Sequence, residues 1–213
     1  MLRMTAPHPL RILVVAPESL APGAADPRAA RQAERSRLLR ISLLENGYNI
    51  VAVLPTDTFL GERIAQLQPD MIVVDAESAA RDALEHVVVA TRDARRPIVL
   101  FTNDEDTTHV RDAVAAGVCA YVVAGLAADR IRPILTVALA RFQHEQRLRG
   151  ELAAARSELQ ERKVIERAKG LLMQRRGLAE GAAYAQLRQT AMDRGLKLHE
   201  VAQRVLDVAD LLG

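Results

Sequence analysis

The residues best suited to recognition chemistry in this sequence are cations gathered towards its C-terminal end. Residues 162–204 hold 10 basic and 4 acidic side chains, a net charge of +6, whereas residues 1–140 hold 15 basic and 17 acidic ones. Clustered Lys and Arg neutralise phosphate groups, so this pattern is typical of a nucleic-acid-binding element. A solvated helix face gives the same count, and charge alone leaves both interpretations open. The cations of interest are Lys163, Arg167, Lys169, Arg175, Arg176, Arg188 and Lys197.

The sequence offers few candidate residues for a disulfide, a metal site or catalysis. The single cysteine, Cys119, cannot form an internal disulfide or a multi-cysteine metal site, and no nearby histidine pair has zinc-ligand spacing. No pairing of nucleophile and base and no glycine-rich phosphate loop is present, so we expect no enzymatic activity, no metal and no cofactor. No apolar run reaches the roughly 18 residues that span a bilayer, and residues 1–10 lack a signal-peptide pattern. The sequence therefore predicts a cytoplasmic protein without a membrane partner.

Short apolar runs alternate with helix-period segments over the first 130 residues, which is typical of a βα repeat. We predict strands at 11–16, 49–54, 71–75, 97–102 and 119–123, and helices near 28–46, 57–67, 79–93 and 106–116, with a fifth from about Asp129. Because the strands are rich in Val, Ile and Leu, we expect a doubly wound α/β parallel sheet buried on both faces. Ligands of such sheets bind at the carboxyl ends of the strands, which directs attention to Asp75 and Thr102.

The strand ends resemble those of response-regulator receiver domains. Asp75 stands in the phosphoacceptor position, with Thr102 as its hydroxyl partner after the fourth strand. The acidic pair that holds Mg²⁺ in that family is missing at Ala16 and Pro17, and its lysine is missing at Ala124. The resemblance thus implies a degenerate receiver-like (βα)5 domain with weak phosphotransfer and no full oxygen cage for Mg²⁺. Asp75 is interpreted either as a phosphoacceptor or as a carboxylate that caps the following turn.

From Ile134 the pattern changes to one long helix. Positions 134, 138, 141, 145, 148, 152, 155 and 159 step alternately by four and three, and six of these eight are apolar. Such a seam predicts a coiled coil and a homodimer, with the dimer seam at Leu148, Leu152, Ala155 and Leu159. The alternative is an amphipathic helix that folds back onto its own receiver-like domain.

Two further helices are predicted at about 179–194 and 197–212, and with the end of the long helix they form one small all-α three-helix core. In the first of them, one stripe of the helix holds Tyr184, Leu187, Arg188, Ala191 and Met192. We expect Met173, Ala191 and Met192 to lie in the core.

The run IERAKGLLMQRRGLAEGAAYAQLRQTAMDRGLKLHEVAQRVL resembles the ANTAR domain, the RNA-binding module of transcription antitermination regulators. The matching residues occur in order at family spacing: Arg162-Lys163, Ala168-Lys169-Gly170, Met173, Glu180 to Tyr184, Leu187-Arg188, Ala191-Met192 and Val201-Ala202. Together with the receiver-like half, nearly the whole chain resembles the nitrate and nitrite assimilation (NasT-like) branch of these antiterminators.

Hairpin RNA is recognised through backbone phosphates and a few unstacked bases, so its site needs clustered cations. Gly170 beside Lys169 would let an RNA backbone approach closely, because glycine has no side chain. Tyr184 is the single aromatic residue of the region, and it either stacks on a base or packs in the core with its hydroxyl at the surface. We interpret Arg162, Arg194 and Arg204 as solvated helix face.

These observations favour a receiver-like domain over residues 1–128, a helical connector or coiled coil over 129–161 and an ANTAR RNA-binding domain over 162–213. The leading hypothesis is an antitermination regulator that binds paired hairpins in leader RNA so that the terminator cannot form. The resemblance implies nitrate and nitrite assimilation genes as targets, with control through Asp75 or through a ligand-sensing regulatory protein that sequesters the chain. Two alternatives remain: a DNA-binding two-component response regulator, and a phosphotransfer or interaction module whose C-terminal part only dimerises.

Overall fold

The computed structural model describes residues 9–16, 27–75, 80–92, 94–103, 107–123 and 128–211. The chain divides into two compact units, Met1–Glu145 and Gln146–Gly213. Pro17 and Ala124, two of the positions where receiver residues are missing, lie outside the described residues.

The first unit is built on a five-stranded parallel sheet with the strand order β2-β1-β3-β4-β5. Its strands are β1 (Arg11–Val15), β2 (Asn49–Leu54), β3 (Met71–Asp75), β4 (Ile98–Thr102) and β5 (Ala120–Val123). They match the predicted strands to within one residue at each end. The fourth starts at Ile98 because Pro97 has no N–H to donate, although its carbonyl still accepts from the amide of Ile72 at 2.9 Å.

Helices cover both faces of this sheet. In the first unit they are α1 (Pro27–Glu45), α2 (Leu60–Leu67), α3 (Ala80–Ala90) and α4 (Thr107–Ala116), followed by the start of α5 (Ala128–Arg176). The helix α2 begins three residues later than predicted, because Asp57 Oδ1 accepts the amide of Phe59 in a turn that precedes the helix. The helix α5 runs on through Gly150, which interrupts nothing.

Alternate residues of the central strands enter two separate cores. Leu13, Val15 and Ile72 pack against α2, α3 and α4, whereas Ile12, Val14 and Met71 pack against α1 and α5. Burial on both faces explains why these strands are apolar at nearly every position. The predicted doubly wound receiver-like fold is confirmed, and it brings the carboxyl ends of β3 and β4 to one edge.

The predicted seam along α5 has two different environments. Ala138 is fully buried and Ile134 is partly buried, and both pack into the core formed with α1. Further along the same stripe, Leu148, Leu152 and Leu159 are exposed within the second unit. The folding-back alternative is therefore correct for the first two seam positions, while the paired seam from residue 148 onward stays a prediction.

The second unit contains the rest of α5 together with α6 (Glu180–Arg194) and α7 (Leu198–Leu211). Its core is formed by Val164, Ala168, Leu172, Ala183, Leu187, Ala191, Val201, Ala202 and Leu206. The buried stripe of α6 thus runs through Ala183, Leu187 and Ala191, one residue away from the one drawn through Tyr184 and Arg188. Small alanines at this stripe let the helix backbones approach closely, which turns the bulkier neighbours outward.

Two predicted core residues of this unit lie at its surface. Met192 is 67% exposed and Met173 is 37% exposed, so their prediction as core residues is wrong, whereas Ala191 is buried as expected. Both apolar stripes of α6 fit a helical period, and only the packing of α5 and α7 decides between them. Tyr184 is 44% exposed and does not lie in the core either.

Candidate nucleic-acid interface

The edge of the sheet holds the two residues singled out by the receiver resemblance. Asp75, the last residue of β3, pairs in register with Phe101 of β4, and Thr102 is the next residue along that strand. Both side chains are buried, Asp75 completely. The structure therefore places the carboxylate and the hydroxyl on neighbouring strands at the same edge, as the topology predicts.

Two residues of α1 that sequence reasoning missed engage the carboxylate of Asp75. Arg35 Nη2 lies 3.0 Å from Oδ1 of Asp75, and the hydroxyl of Ser36 donates to Oδ2. Only 13% of the Arg35 side chain is exposed. The available signal was helical spacing, because Ser36 stands three and seven residues before Leu39 and Leu43, which face the core.

This arrangement does not fit the Mg²⁺ that receiver domains hold. Both oxygens of Asp75 are engaged by groups of the protein, and a guanidinium beside them repels a second cation. Ala16 offers no side-chain oxygen at the end of β1. Within the described part of the chain, no cluster of three or more His, Cys, Asp or Glu side chains could hold a metal ion.

The predicted RNA-binding residues lie on α5, on α6 and directly before α7. Lys163, Arg167, Arg175 and Arg176 are exposed on α5, Arg188 is exposed on α6, and Lys197 directly precedes α7. Gly170 faces open space, since a Cβ placed there would meet no atom within 4 Å. Packing within the protein therefore does not require glycine at this position.

Lys169 differs from the other cations because two carboxylates already bind it. Its Nζ lies 2.7 Å from an oxygen of Glu166 and 2.7 Å from an oxygen of Glu180, and only 11% of its side chain is exposed. The hydrogen bonds that Lys169 donates to Glu166 and then to Glu180 raise the pKa of Lys169, and the contact with Lys169 lowers the pKa of Glu180. Lys169 thus links α5 to the start of α6 with its charge compensated.

A cavity of about 350 Å³ opens between α5, α6 and α7. Its lining combines apolar side chains with four arginines, Arg175, Arg176, Arg194 and Arg204. Sequence reasoning selected the first two as nucleic-acid contacts and interpreted the other two as solvated face. The fold instead brings these four arginines together in the lining of one cavity. We call it the arginine-rimmed pocket; it is lined by Leu171, Leu172, Arg175, Arg176, Thr190, Arg194, Leu196, Val201, Arg204, Val205, Val208 and Ala209.

Comparison with known proteins places these features in a family. The ANTAR domain model matches residues 153–206. The transcriptional regulatory protein PdtaR of Mycobacterium tuberculosis (strain H37Rv) is 32% identical over 188 residues, which cover 86% of this chain and 92% of that protein. The chain belongs to the family of ANTAR-domain regulators.

Other relatives share one part of the chain. The nitrate regulatory protein of Klebsiella oxytoca is 44% identical over 69 residues, 32% of this chain and 17% of that protein. Among solved structures, the receiver domain of a diguanylate cyclase from Desulfovibrio desulfuricans G20 covers 64% of this chain and 98% of its own, with 22% identity and a TM-score of 0.49. The receiver domain of RstA from Klebsiella pneumoniae covers 61% and 97%, with 19% identity and a TM-score of 0.47.

The ANTAR match contains all the predicted nucleic-acid contacts and the four arginines of the pocket, from Lys163 to Arg204. Two residues that line the arginine-rimmed pocket, Val208 and Ala209, lie just beyond the matched segment. Ala155 and Leu159 of the seam fall inside the ANTAR match and Leu152 falls immediately before it. Of the helices described here, none is long and apolar enough to cross a membrane.

Proposed function

We propose that this ANTAR-domain regulator is an antitermination factor that binds hairpins in nascent leader RNA and so prevents a terminator hairpin from forming. The observation that carries the proposal is the concentration of exposed cations on the three helices of the ANTAR domain, four of them around one apolar pocket. Guanidinium groups bind phosphate oxygens in a bidentate manner, and an apolar surface beside them suits an unstacked base. The protein would act in the cytoplasm by binding alone, and no bond would be made or broken.

One relative supports a proposal for the target genes. The Klebsiella oxytoca protein that shares 44% identity over 69 residues is named a nitrate regulatory protein. We therefore propose nitrate and nitrite assimilation genes as the targets. Transcript levels of these genes in a deletion strain, with and without nitrate, test this part separately.

The active state would be a homodimer in which each ANTAR domain holds one hairpin of a pair. Exposed Leu148, Leu152 and Leu159 provide an apolar stripe on α5 that a second copy of the helix can cover. Two hairpins on one RNA then bind as a bivalent ligand, which makes the second contact effectively intramolecular.

Control would come from a ligand-sensing regulatory protein that sequesters the chain, and not from phosphorylation. Asp75 is fully buried and bound by Arg35 and Ser36, so its carboxylate is poorly placed to attack a phosphodonor. We expect no acyl phosphate on Asp75 after incubation with acetyl phosphate and Mg²⁺, as read by intact-protein mass spectrometry. Stoichiometric labelling of Asp75 would instead support control of the protein by phosphorylation.

The direct test is equilibrium binding of the full-length chain to a two-hairpin leader RNA and to duplex DNA of equal charge. We expect tight binding to the hairpins with an affinity that falls as salt rises, because bound cations displace counterions from the phosphates. Duplex DNA should bind weakly at both of two salt concentrations. Tighter binding to the duplex would instead support a DNA-binding response regulator, and binding to neither would reject the proposal for the free chain.

A further inference from the structure

We infer that the arginine-rimmed pocket holds one unstacked base of a single-stranded RNA loop, with the flanking phosphates on its arginines. This inference rests on the proposed RNA-binding function and adds a specific subsite to it. Its basis is that one cavity combines an apolar floor with a cationic rim. Either feature alone would not indicate a nucleotide.

The floor of the pocket is suited to a flat uncharged group. Leu172, Val201 and Ala209 line it and are each less than 10% exposed, so they present a fixed apolar surface. A base that leaves its stack needs such a surface for its π-face, and loop recognition commonly uses one. A cavity of about 350 Å³ is near the small end of ligand pockets, which range over roughly 300–1,000 Å³. The size fits one nucleotide better than a long segment of chain.

The rim favours an anionic occupant. Arg175, Arg176, Arg194 and Arg204 line one cavity, and no acidic side chain of the described residues lines it with them. Four like charges around one cavity repel each other, and an anionic occupant relieves this repulsion. Arg175 is already oriented, since its Nη2 donates to the carbonyl of Ala209 at 3.4 Å. Guanidinium groups bind phosphate oxygens through paired N–H groups and also stack on bases.

These features favour a nucleotide of RNA over the other occupants. A second copy of this chain would bring one basic ANTAR domain against another, because residues 162–204 carry a net charge of +6. An acidic protein segment would satisfy the charges of the arginines, but it would not need an apolar floor of this small size. A soluble mononucleotide shares the chemistry of the occupant and is separated from RNA by the experiment.

The experiment uses RNA hairpins selected by the full-length wild-type chain from a library with a randomised loop. The selected hairpin is compared with versions in which single loop nucleotides are abasic, so that the phosphates stay and one base is removed. At one loop position we expect the abasic change to weaken binding about 10-fold or more, the usual scale for loss of base stacking.

A matched pair of variants connects that loss to the pocket. Val208→Glu places a carboxylate among the four arginines, and Val208 is itself exposed, so the core of the domain is unaffected. Met192→Glu makes the same charge change at an exposed residue of α6 that does not line the pocket. We expect Val208→Glu to weaken hairpin binding at least 10-fold more than Met192→Glu and to abolish the sensitivity to the abasic position. Circular dichroism of both variants confirms that each is folded.

The outcomes separate the pocket from the proposed function. If the wild-type chain selects no hairpin, both fail. If hairpins bind but every abasic version binds as well as the intact loop, or Val208→Glu behaves like Met192→Glu, the pocket inference fails and RNA binding stands. That result would favour an acidic protein segment as the occupant of the pocket. Displacement of the hairpin by free nucleoside monophosphates at equal concentration would assign the pocket to a soluble nucleotide and also overturn the inference.

Discussion

Asp75 acts in this fold as a buried charge that joins α1 to the sheet. Its carboxylate is completely buried, and Arg35 and Ser36 supply the cation and the hydroxyl that such burial requires. In a receiver domain the same position needs Mg²⁺ and a lysine to offset charge. Here Arg35 and Ser36 of α1 supply that compensation, so the carboxylate can stay buried although the acidic pair and the lysine of receiver domains are missing.

We predict that Asp75→Asn lowers the free energy of unfolding of the first unit by about 3 kcal/mol, because Arg35 would stay buried without its carboxylate. The control is Asp57→Asn, which removes an ion pair to Arg63 that is more than 30% exposed on both sides. The control should cost less than about 1 kcal/mol.

Urea unfolding followed by the fluorescence of Tyr48 and Tyr121, in a Tyr184→Phe background, measures this prediction. The background leaves tyrosines in the first unit alone. Equal effects of the two asparagine substitutions would show that the Asp75 pair contributes no more than a surface ion pair.

Lys169 shows how a residue that matches a family motif can have a structural task. It binds Glu166 and Glu180 and so holds the start of α6 against α5, with its own charge compensated. Loss of RNA binding on replacement of Lys169 would therefore combine a lost cation with a displaced helix. Arg188 is an exposed cation of α6. It is therefore the better probe of phosphate contact.

We predict a pH-dependent effect of Glu180→Gln on thermal stability. The pKa of Glu180 is lowered from 4.5 by Lys169, so the carboxylate stabilises the fold above that pH and this contribution is lost as the pH falls through the lower value. The melting temperature of Glu180→Gln should lie below that of the wild type at pH 7, and the two should converge in acid.

Melting temperatures of both proteins between neutral pH and about pH 3 give the measurement. Glu158→Gln is the control, because its pair with Arg162 is about three-quarters exposed on both sides. A difference between wild type and Glu180→Gln that persists unchanged into acid would contradict the role given to this ion pair.

At the scale of elements, α5 belongs to both units and changes partner along its length. Its first part packs on the sheet through Ile131, Leu135 and Ala138, and its last part enters the ANTAR core through Val164, Ala168 and Leu172. Between them the apolar stripe at Leu148, Leu152 and Leu159 is exposed. The same periodicity therefore continues across segments with different burial.

We predict that the wild-type chain is a dimer at micromolar concentration and that Leu152→Lys makes it a monomer. A lysine at the centre of a coiled-coil seam places a charge in an apolar interface. The adjacent Ala153→Lys is the control, since residue 153 is exposed on another side of the helix. Sedimentation equilibrium distinguishes the two, and a monomeric wild type would contradict the seam prediction.

At the scale of the whole molecule, the mildly acidic first unit and the basic ANTAR domain divide two tasks. The receiver-like unit offers no metal site within its described residues and a compensated Asp75, which suits a docking platform more than a phosphotransfer domain. The ANTAR domain carries the excess of positive charge, +6 over residues 162–204. Under the proposed function, this separation of charge would keep RNA on one part of the chain and leave the other part for a regulatory protein.

We predict that the dimer binds a two-hairpin RNA about 100-fold or more tightly than either hairpin alone, because the second contact is intramolecular. The monomeric Leu152→Lys variant should keep the affinity for one hairpin and lose the enhancement. Equilibrium titrations with one-hairpin and two-hairpin RNAs measure both quantities. An undiminished enhancement in the monomer would mean that one chain binds both hairpins.

Much of this architecture follows from local pattern. Five apolar strands alternate with helices, and each observed strand lies within one residue of its predicted bounds, because burial on both faces leaves an almost unbroken apolar run. The position of Asp75 at the end of β3 and the excess of cations after residue 162 are likewise properties of the sequence. So is the ANTAR resemblance, which depends on residue types at fixed spacing.

Tertiary structure decided which side chains meet. Ser36 reaches Asp75 across 39 residues of sequence, and Arg194 and Arg204 join Arg175 and Arg176 at one pocket although they belong to three helices. Met192 and Tyr184 fall on the exposed side of α6 because α5 and α7 pack against its neighbouring stripe. Helical and strand periods depend on nearest neighbours along the chain and can be predicted from it. Contacts between distant segments depend on how whole elements pack, and no local period encodes that.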